Sequence, residues 1–207
     1  MPQPTYPTLI PLPTELRGER VTLRPLVPAD GPAMIEAIDE SRVELDAWMD
    51  WPPAMRTDDD GVDYCIRMAA AWLRRDSLNV GIFDTATGRY LGNTGFHTVK
   101  WRLRAMEIGY WLRSSAVGKG YMTEAVALLL PLAFDHLTAR RVTILCDATN
   151  HRSRAIPERL GFTLEGIHRK DSVTPSGDVR DTMVWAMTDD DWHATGRSSR
   201  PDNTRPA

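Results

Sequence analysis

A short glycine turn, Gly118-Lys119-Gly120, connects an apolar segment that ends at Leu112 to a segment with helical spacing that begins at Tyr121. A strand that returns as a helix points unpaired amide groups of the helix N-terminus into the turn, where they favour an anion. The two glycines allow a close approach to the backbone, and the lysine adds positive charge. The spacing therefore predicts a site for a pyrophosphate group.

The same turn does not fit two common nucleotide-binding motifs. The Walker loop needs glycine at position 113 and Ser or Thr at position 120, where this chain has Arg113 and Gly120. The dinucleotide fingerprint needs a third glycine at position 123, which is Thr123. ATP and NAD are therefore not indicated. An isolated Gly-x-Gly is more often a tight strand-to-helix connection, so the assignment depends on the surrounding sequence.

Three further polar residues, Glu107, Asn150 and Ser153, have roles that their residue types suggest. Glu107 lies between Met106 and Ile108, and burial among them would raise its pKa toward that of a useful general base. The alternative for Glu107 is an outward-facing charge on a strand with alternating residues. Asn150 and Ser153 are residue types that cap helices.

The periodicity of apolar residues predicts the elements that position these groups. Strands are predicted over residues 20–26, 79–83, 89–98, 105–112, 141–146, 162–169 and 179–187, and helices over residues 33–40, 57–75, 121–137 and 153–160. The strand, helix and strand between residues 105 and 146 imply a right-handed crossover between parallel strands, whereas the hairpins around them are antiparallel. We therefore expect an α/β protein with a mixed sheet.

Length and composition indicate one folded domain. The chain has 207 residues, of which 42% are hydrophobic and 26% are charged, as in an ordinary globular protein. Residues 1–16 are rich in proline and residues 194–207 are small and polar, so both segments are predicted to be loose tails. We therefore expect a single domain over residues 17–193.

Charge and hydropathy argue against several classes of function. The formal net charge is -3, so direct nucleic-acid binding is not expected. The longest apolar run, residues 125–134, is about half of a membrane span and contains Pro131. The N-terminus has no basic region of a secretory signal, which favours a cytoplasmic protein. Cys65 and Cys146 lack metal-ligand spacing, so we expect reduced core cysteines and no metal.

Two runs of residues resemble the motifs of one enzyme family. Residues 107–125, EIGYWLRSSAVGKGYMTEA, resemble the acetyl-coenzyme A (acetyl-CoA) motif of the GNAT superfamily of N-acetyltransferases, in which a strand, a glycine turn and a helix hold the cofactor pyrophosphate. Residues 150–162 resemble the family's Asn-x-x-Ser helix, which ends in Gly-Phe. The resemblance extends over about residues 16–192. Residues 20–24 and the Leu45-x-x-Trp48 loop are most similar to the Rim-type branch, the ribosomal-protein N-terminal acetyltransferases.

The resemblance implies the GNAT fold, a mixed and mostly antiparallel sheet of about seven strands flanked by helices, with its central parallel pair splayed at the cofactor site. It also implies acetyl-CoA as co-substrate. The family often has Gln or Arg where this chain has Ser115, and Arg113 could replace that phosphate contact. The residues expected to bind the cofactor are Trp111, Leu112, Arg113, Val117, Gly118, Lys119, Gly120, Tyr121, Met122, Thr123, Asn150 and Ser153.

The resemblance also implies catalytic roles. Glu107 corresponds to the family's acidic residue on the central strand and would deprotonate the amine directly or through water, with Asp171 as the competing base. Ser153 would protonate the departing thiolate, and two tyrosines, Tyr110 and Tyr121, are alternative acids. The oxyanion would be stabilised by a backbone amide of residue 110 or 111, if the strand over residues 105–112 carries the bulge usual in the family.

The acceptor is expected to be an amine. Trp48, Trp51 and Trp101 could line an acceptor groove, and a core or dimer contact is an equal alternative for each. By resemblance, Trp48 is favoured because its loop corresponds to the family's acceptor-side insert, and Glu107 is expected on the same side. The favoured acceptor is a protein or peptide α-amine, and the alternatives are a small-molecule amine, such as a polyamine, amino acid or antibiotic, or a non-catalytic module that binds acyl-CoA. Rim-type proteins are often dimers, so a homodimer is a further expectation.

Overall fold

Eight strands form one sheet in the computed structural model, which describes residues 6–197. The strand order is β1-β2-β3-β4-β5-β6-β8-β7. The strands are β1 (Leu16–Arg17), β2 (Val21–Arg24), β3 (Leu78–Asp84), β4 (Tyr90–Lys100), β5 (Ala105–Leu112), β6 (Arg141–Asp147), β7 (Thr163–Val173) and β8 (Val179–Thr188). The helices are α1 (Gly31–Asp46), α2 (Asp58–Arg74), α3 (Tyr121–Pro131), α4 (His151–Leu160) and α5 (Asp189–Ala194).

The parallel pair at the centre of the sheet splays, as the family resemblance implies. Strands β5 and β6 pair in parallel from Ala105↔Arg141 to Ile108↔Ile144. Both strands then continue, to Leu112 and Asp147, beyond the last paired residues. All other neighbouring strands are antiparallel. The mixed sheet is therefore confirmed, with eight strands in residues 6–197 instead of about seven, since β1 is a separate two-residue strand.

Helices α1 and α2 cover one face of the sheet. The predicted cap of α2 is confirmed, because the Thr57 side chain accepts a hydrogen bond from the Asp60 amide and the Asp60 carboxylate accepts one from the Thr57 amide. Helix α1 is longer than the predicted residues 33–40. It approaches α2 closely at Gly31, where a Cβ atom would lie 2.5 Å from the Val62 nitrogen. The periodicity of apolar residues within one helix does not predict such a contact between two helices.

Helix α3 ends earlier than the predicted helix over residues 121–137. A wider π turn, Leu132–His136, follows its last residue, Pro131. Proline has no amide hydrogen, and its ring clashes with the carbonyl four residues earlier, so the regular helical ladder cannot pass through it unchanged.

The sheet separates two hydrophobic cores. The larger core includes Met106 and Ile108 of β5 and packs around α3. The smaller core lies beneath α1 and α2 and includes Trp111 of the same strand. Alternation along β5 therefore directs its side chains to both faces, and the splayed end of the strand lies between the two cores. Cys65 and Cys146 are buried and free, as predicted.

The N-terminal segment, predicted to be a loose tail over residues 1–16, contacts the domain at Ile10. Ile10 is buried, and its carbonyl accepts a hydrogen bond from Arg75 Nη2 (2.9 Å). Residues 1–5, and residues 198–207 of the predicted C-terminal tail, lie outside the described residues. Within residues 6–197, the helices are too short or too polar to cross a membrane.

Candidate active site

A groove of about 330 Å³ lies where the glycine turn, α4 and the end of β5 meet. Most of the residues predicted to bind the cofactor line it, namely Trp111, Leu112, Val117, Gly118, Gly120, Tyr121, Met122, Thr123, Asn150 and Ser153. These residues come from two separate sequence motifs. The fold therefore brings both motifs to one groove.

The glycine turn has the backbone conformation that its residues favour. Gly118 and Gly120 have φ angles of 80° and 81°, in the left-handed region, and Gly120 caps α3. Arg20 holds the turn from outside, since its Nη1 donates to the Lys119 carbonyl (2.8 Å) and its Nε donates to Glu124 (2.8 Å). The turn is thereby fixed between β2 and α3.

The chemistry of the groove fits the pyrophosphate of acetyl-CoA. The first amides of α3 have no carbonyl partner within the helix, so they favour binding of an anion. Thr123 Oγ1 is buried in the first turn of α3 and has no hydrogen-bond partner within residues 6–197. Arg152 and Arg159 line the same groove and supply positive charge. Unpaired donors and two guanidinium groups at one place are what a diphosphate requires.

Sequence reasoning missed these two arginines. They lie seven residues apart on α4, which is two helical turns, so they project from the same face as Ser153 and Ile156. This spacing is visible in the sequence and could have identified them.

Two residues predicted to bind the cofactor are placed differently. The Arg113 side chain is only 2% exposed and pairs with Glu36 and Glu40 of α1, so it does not substitute for the phosphate contact at Ser115. Lys119 is outside the set of residues that line the groove, and its carbonyl accepts a hydrogen bond from Arg20 Nη1. The predicted role of the Arg113 side chain is therefore corrected, whereas a contact between Lys119 and the cofactor stays a prediction.

Ser153 and Tyr110 form a hydrogen-bonded pair in the groove. The Tyr110 hydroxyl donates to the Ser153 carbonyl (3.1 Å), and Ser153 Oγ donates to the Tyr110 hydroxyl (3.2 Å). Asn150 caps α4 by accepting from the Ser153 amide (3.0 Å), which holds Ser153 in place. Burial raises the pKa of Tyr110 well above its usual value, so its hydroxyl stays protonated.

A second cavity, of about 500 Å³, lies on the opposite face of the sheet, beneath α1 and α2. Its wall is mostly sulfur-containing and aromatic, with polar groups at several points, and comprises Met34, Met49, Asp50, Trp51, Met55, Tyr64, Asn79, Asn93, Thr94, His97, Gly109, Tyr110 and Trp111. Three of these residues, Met49, Tyr110 and Trp111, also line the groove. The cavity and the groove therefore meet at the splayed end of β5.

The three candidate tryptophans lie at three different places. Trp48 lines the groove, whereas Trp51 lines the second cavity. Trp101 lies elsewhere, and its indole donates to the Arg75 carbonyl (2.8 Å). The loop after α1 therefore passes from the groove to the cavity within three residues, and an acceptor-side role for Trp48 stays a prediction.

Glu107 contacts His97, which lines this cavity, but does not line the cavity itself. His97 lines the cavity and its Nε2 is 3.0 Å from Glu107 Oε1, while Glu107 itself is outside the lining set. The bulge expected on β5 lies instead on β4, where the register shifts between Phe96 and Thr98. The competing base, Asp171, lies on β7 beside His168 and lines neither cavity nor groove.

Comparison with known proteins agrees with this geometry. The model of the acetyltransferase (GNAT) domain matches residues 20–163. The probable N-acetyltransferase YjcK of Bacillus subtilis is 30% identical over 182 residues, which are 85% of this chain and 98% of that protein. The [ribosomal protein uS5]-alanine N-acetyltransferase of Escherichia coli is 30% identical over 113 residues, 54% of this chain and 58% of that protein.

A solved structure of similar fold is RimL, a ribosomal L7/L12 alpha-N-protein acetyltransferase in complex with coenzyme A. Its TM-score is 0.80 at 24% sequence identity, and the match covers 86% of this chain and 99% of that chain. The chain therefore belongs to the GNAT family of N-acetyltransferases, enzymes that use acetyl-CoA, and its relatives support the Rim-type branch.

Proposed function

We propose that this enzyme binds acetyl-CoA in the groove and transfers the acetyl group to an amine held in the second cavity. The observation that carries the proposal is the junction of groove and cavity at Met49, Tyr110 and Trp111. A thioester that enters from the groove and an amine that enters from the cavity would meet there, beside the point where β5 and β6 separate. Such positioning is itself a large part of catalysis.

The splayed strand offers an amide for the oxyanion. The Arg113 amide donates to the Leu91 carbonyl of β4 (2.8 Å). Because successive amides of a strand point to opposite edges, those of Leu112 and Tyr110 point away from β4, toward the gap at β6. We assign the Tyr110 amide as the donor to the oxyanion that forms when the amine attacks.

Two side chains would move the protons. Ser153, hydrogen-bonded to Tyr110, is the proposed acid for the coenzyme A thiolate, since both residues line the groove. The proposed base is at Glu107, which reaches the cavity through His97. The proposed acid would therefore face the leaving thiolate in the groove, and the proposed base would face the attacking amine in the cavity.

The favoured acceptor is the α-amine of a protein or peptide. Relatives named as acetyltransferases of ribosomal proteins support this class. An α-amine has a pKa of about 7.7 to 8.0, so a modest base is sufficient to deprotonate it at neutral pH. A small-molecule amine is the second candidate, because the cavity, at about 500 Å³ with a methionine- and tryptophan-rich wall, could enclose an apolar body of that size.

The test is calorimetric titration of acetyl-CoA into the purified protein, followed by thiol release with three acceptor sets: peptides with free α-amines, the same peptides with blocked N-termini, and small amines. Release only with free peptides supports the favoured acceptor, and release with small amines alone supports the second candidate. Binding without release with any acceptor would indicate a non-catalytic acyl-CoA module. Absence of binding would refute the proposed function.

A further inference from the structure

We propose that His97 is the catalytic base that receives the proton of the acceptor amine, and that Glu107 is its positioning residue. The inference rests on the proposed function, but the proton of the acceptor amine passes to the imidazole of His97 and not to the carboxylate of Glu107. His97 lines the acceptor cavity, whereas Glu107 lies behind it at 3.0 Å from Nε2. An amine in the cavity would therefore meet the imidazole before it meets the carboxylate.

Two backbone features place the imidazole. The register of β4 against β5 shifts between Phe96 and Thr98, which leaves His97 as an extra residue in a bulge. Its ring lies over Gly109 of β5, where a Cβ atom would be 2.8 Å from Nδ1. A side chain at position 109 would displace the ring, so glycine there leaves room for the histidine beside the next residue of β5, Tyr110.

The pairing with Glu107 also determines which ring nitrogen can accept a proton. With Nε2–H donating to the carboxylate, Nδ1 carries the lone pair. No residue among 6–197 hydrogen-bonds His97 Nδ1, and this atom lies toward Gly109, which lines the cavity. The carboxylate would also stabilise the imidazolium that forms, as in other pairs of an acidic residue and a histidine base.

The proton balance of the reaction is simple. The amine nitrogen forms a bond to the carbonyl carbon, the carbon–sulfur bond breaks, and one proton passes from nitrogen to His97 Nδ1. Ser153 Oγ, which donates to Tyr110 in the free enzyme, gives its proton to the departing sulfur, and a proton from solvent replaces it. The proton on His97 then returns to solvent, because 42% of this side chain is exposed. The net change converts one amine and one acetyl-CoA into an amide and a thiol.

The test compares His97→Ala, Glu107→Gln and the double variant by thiol release with an accepted amine. We expect His97→Ala to lower kcat about a hundredfold, the usual scale of a lost base, with unchanged acetyl-CoA affinity. Added imidazole should restore part of the rate of His97→Ala. The double variant should be no slower than His97→Ala, because Glu107 acts only through the ring.

His168→Ala is the matched control, since His168 pairs with Asp171 at 3.4 Å on β7, away from both groove and cavity, and should keep its activity. If His97→Ala stays within threefold of the wild type while Glu107→Gln loses activity, Glu107 acts directly and the inference is wrong. Loss of rate in His97→Ala without imidazole rescue would also overturn it. Absence of turnover in the wild type would instead refute the proposed function.

Discussion

Glu40 of α1 accepts hydrogen bonds from Arg113 and Ser115, which precede the glycine turn. The substitution Glu40→Gln removes the negative charge of this side chain. One carboxylate oxygen accepts from the Ser115 amide (2.7 Å), and the other accepts from Arg113 Nε (2.8 Å). The hydrogen bonds from Arg113 lower the pKa of Glu40 from 4.5 to about 2, against the opposing effect of burial. We predict that Glu40→Gln destabilises the protein in a manner that depends on pH.

The magnitude follows from the pKa of Glu40. A fall from 4.5 to about 2 corresponds to at most about 3.5 kcal/mol, since a tenfold change in proton affinity is about 1.4 kcal/mol. The Glu40 side chain is 27% exposed, and solvent screening reduces this value, so we expect a loss of about 2 kcal/mol at pH 7. Because the pKa is lower in the folded state, this stabilisation is complete above about pH 5 and is lost as the pH falls toward 2.

Urea unfolding of the wild type and Glu40→Gln at pH 7 and at pH 3.5 would measure this difference. Glu36→Gln is the matched control, because Glu36 contacts the same Arg113 but is 65% exposed, so we expect a loss below about 1 kcal/mol. Equal free energies of unfolding for wild type and Glu40→Gln at pH 7, or a difference that is the same at both pH values, would refute the reasoning.

Three other substitutions test the groove and a helix cap. Arg159→Ala should weaken acetyl-CoA binding about tenfold in calorimetry, the scale of one charge-assisted hydrogen bond, whereas Arg154→Ala, on the same helix but outside the groove, should not. Ser153→Ala should lower kcat about a hundredfold with little change in acetyl-CoA affinity, and an unchanged kcat would exclude Ser153 as the acid. Thr57→Ala should reduce the free energy of unfolding by about 1 kcal/mol in urea without changing kcat, and a loss below the error of the measurement would contradict the capping role.

The parts of the site that were predicted correctly depend on local chemistry. The strand over residues 105–112 has the predicted bounds, and the turn at Gly118 and Gly120 has the left-handed conformations that favour glycine. The cap of α2 at Thr57 follows from a pattern of four residues. Each of these features is decided by neighbours in the chain, so the sequence is sufficient to identify them.

The incorrect assignment of Arg113 and the separate places of two tryptophans concern residues whose positions depend on distant parts of the chain. Arg113 is close to the glycine turn in sequence, but its carboxylate partners, Glu36 and Glu40, are on α1, more than 70 residues earlier. The sequence cannot show whether a nearby cation faces a phosphate or a buried carboxylate, because that depends on how α1 packs. Trp48 and Trp51 are only three residues apart in sequence, yet the path of one loop places Trp48 in the groove and Trp51 in the cavity.

By itself, the sequence determined the family, the order of strands and helices, and the two motifs that meet in the groove, because glycines, caps and alternating residues act over a few positions. Only the tertiary structure decided that Glu107 contacts the cavity through His97. That pairing depends on a bulge in β4 and on the absence of a side chain at Gly109, which lie on separate strands. A bulge is a property of the register between two strands, and register is set when the sheet assembles.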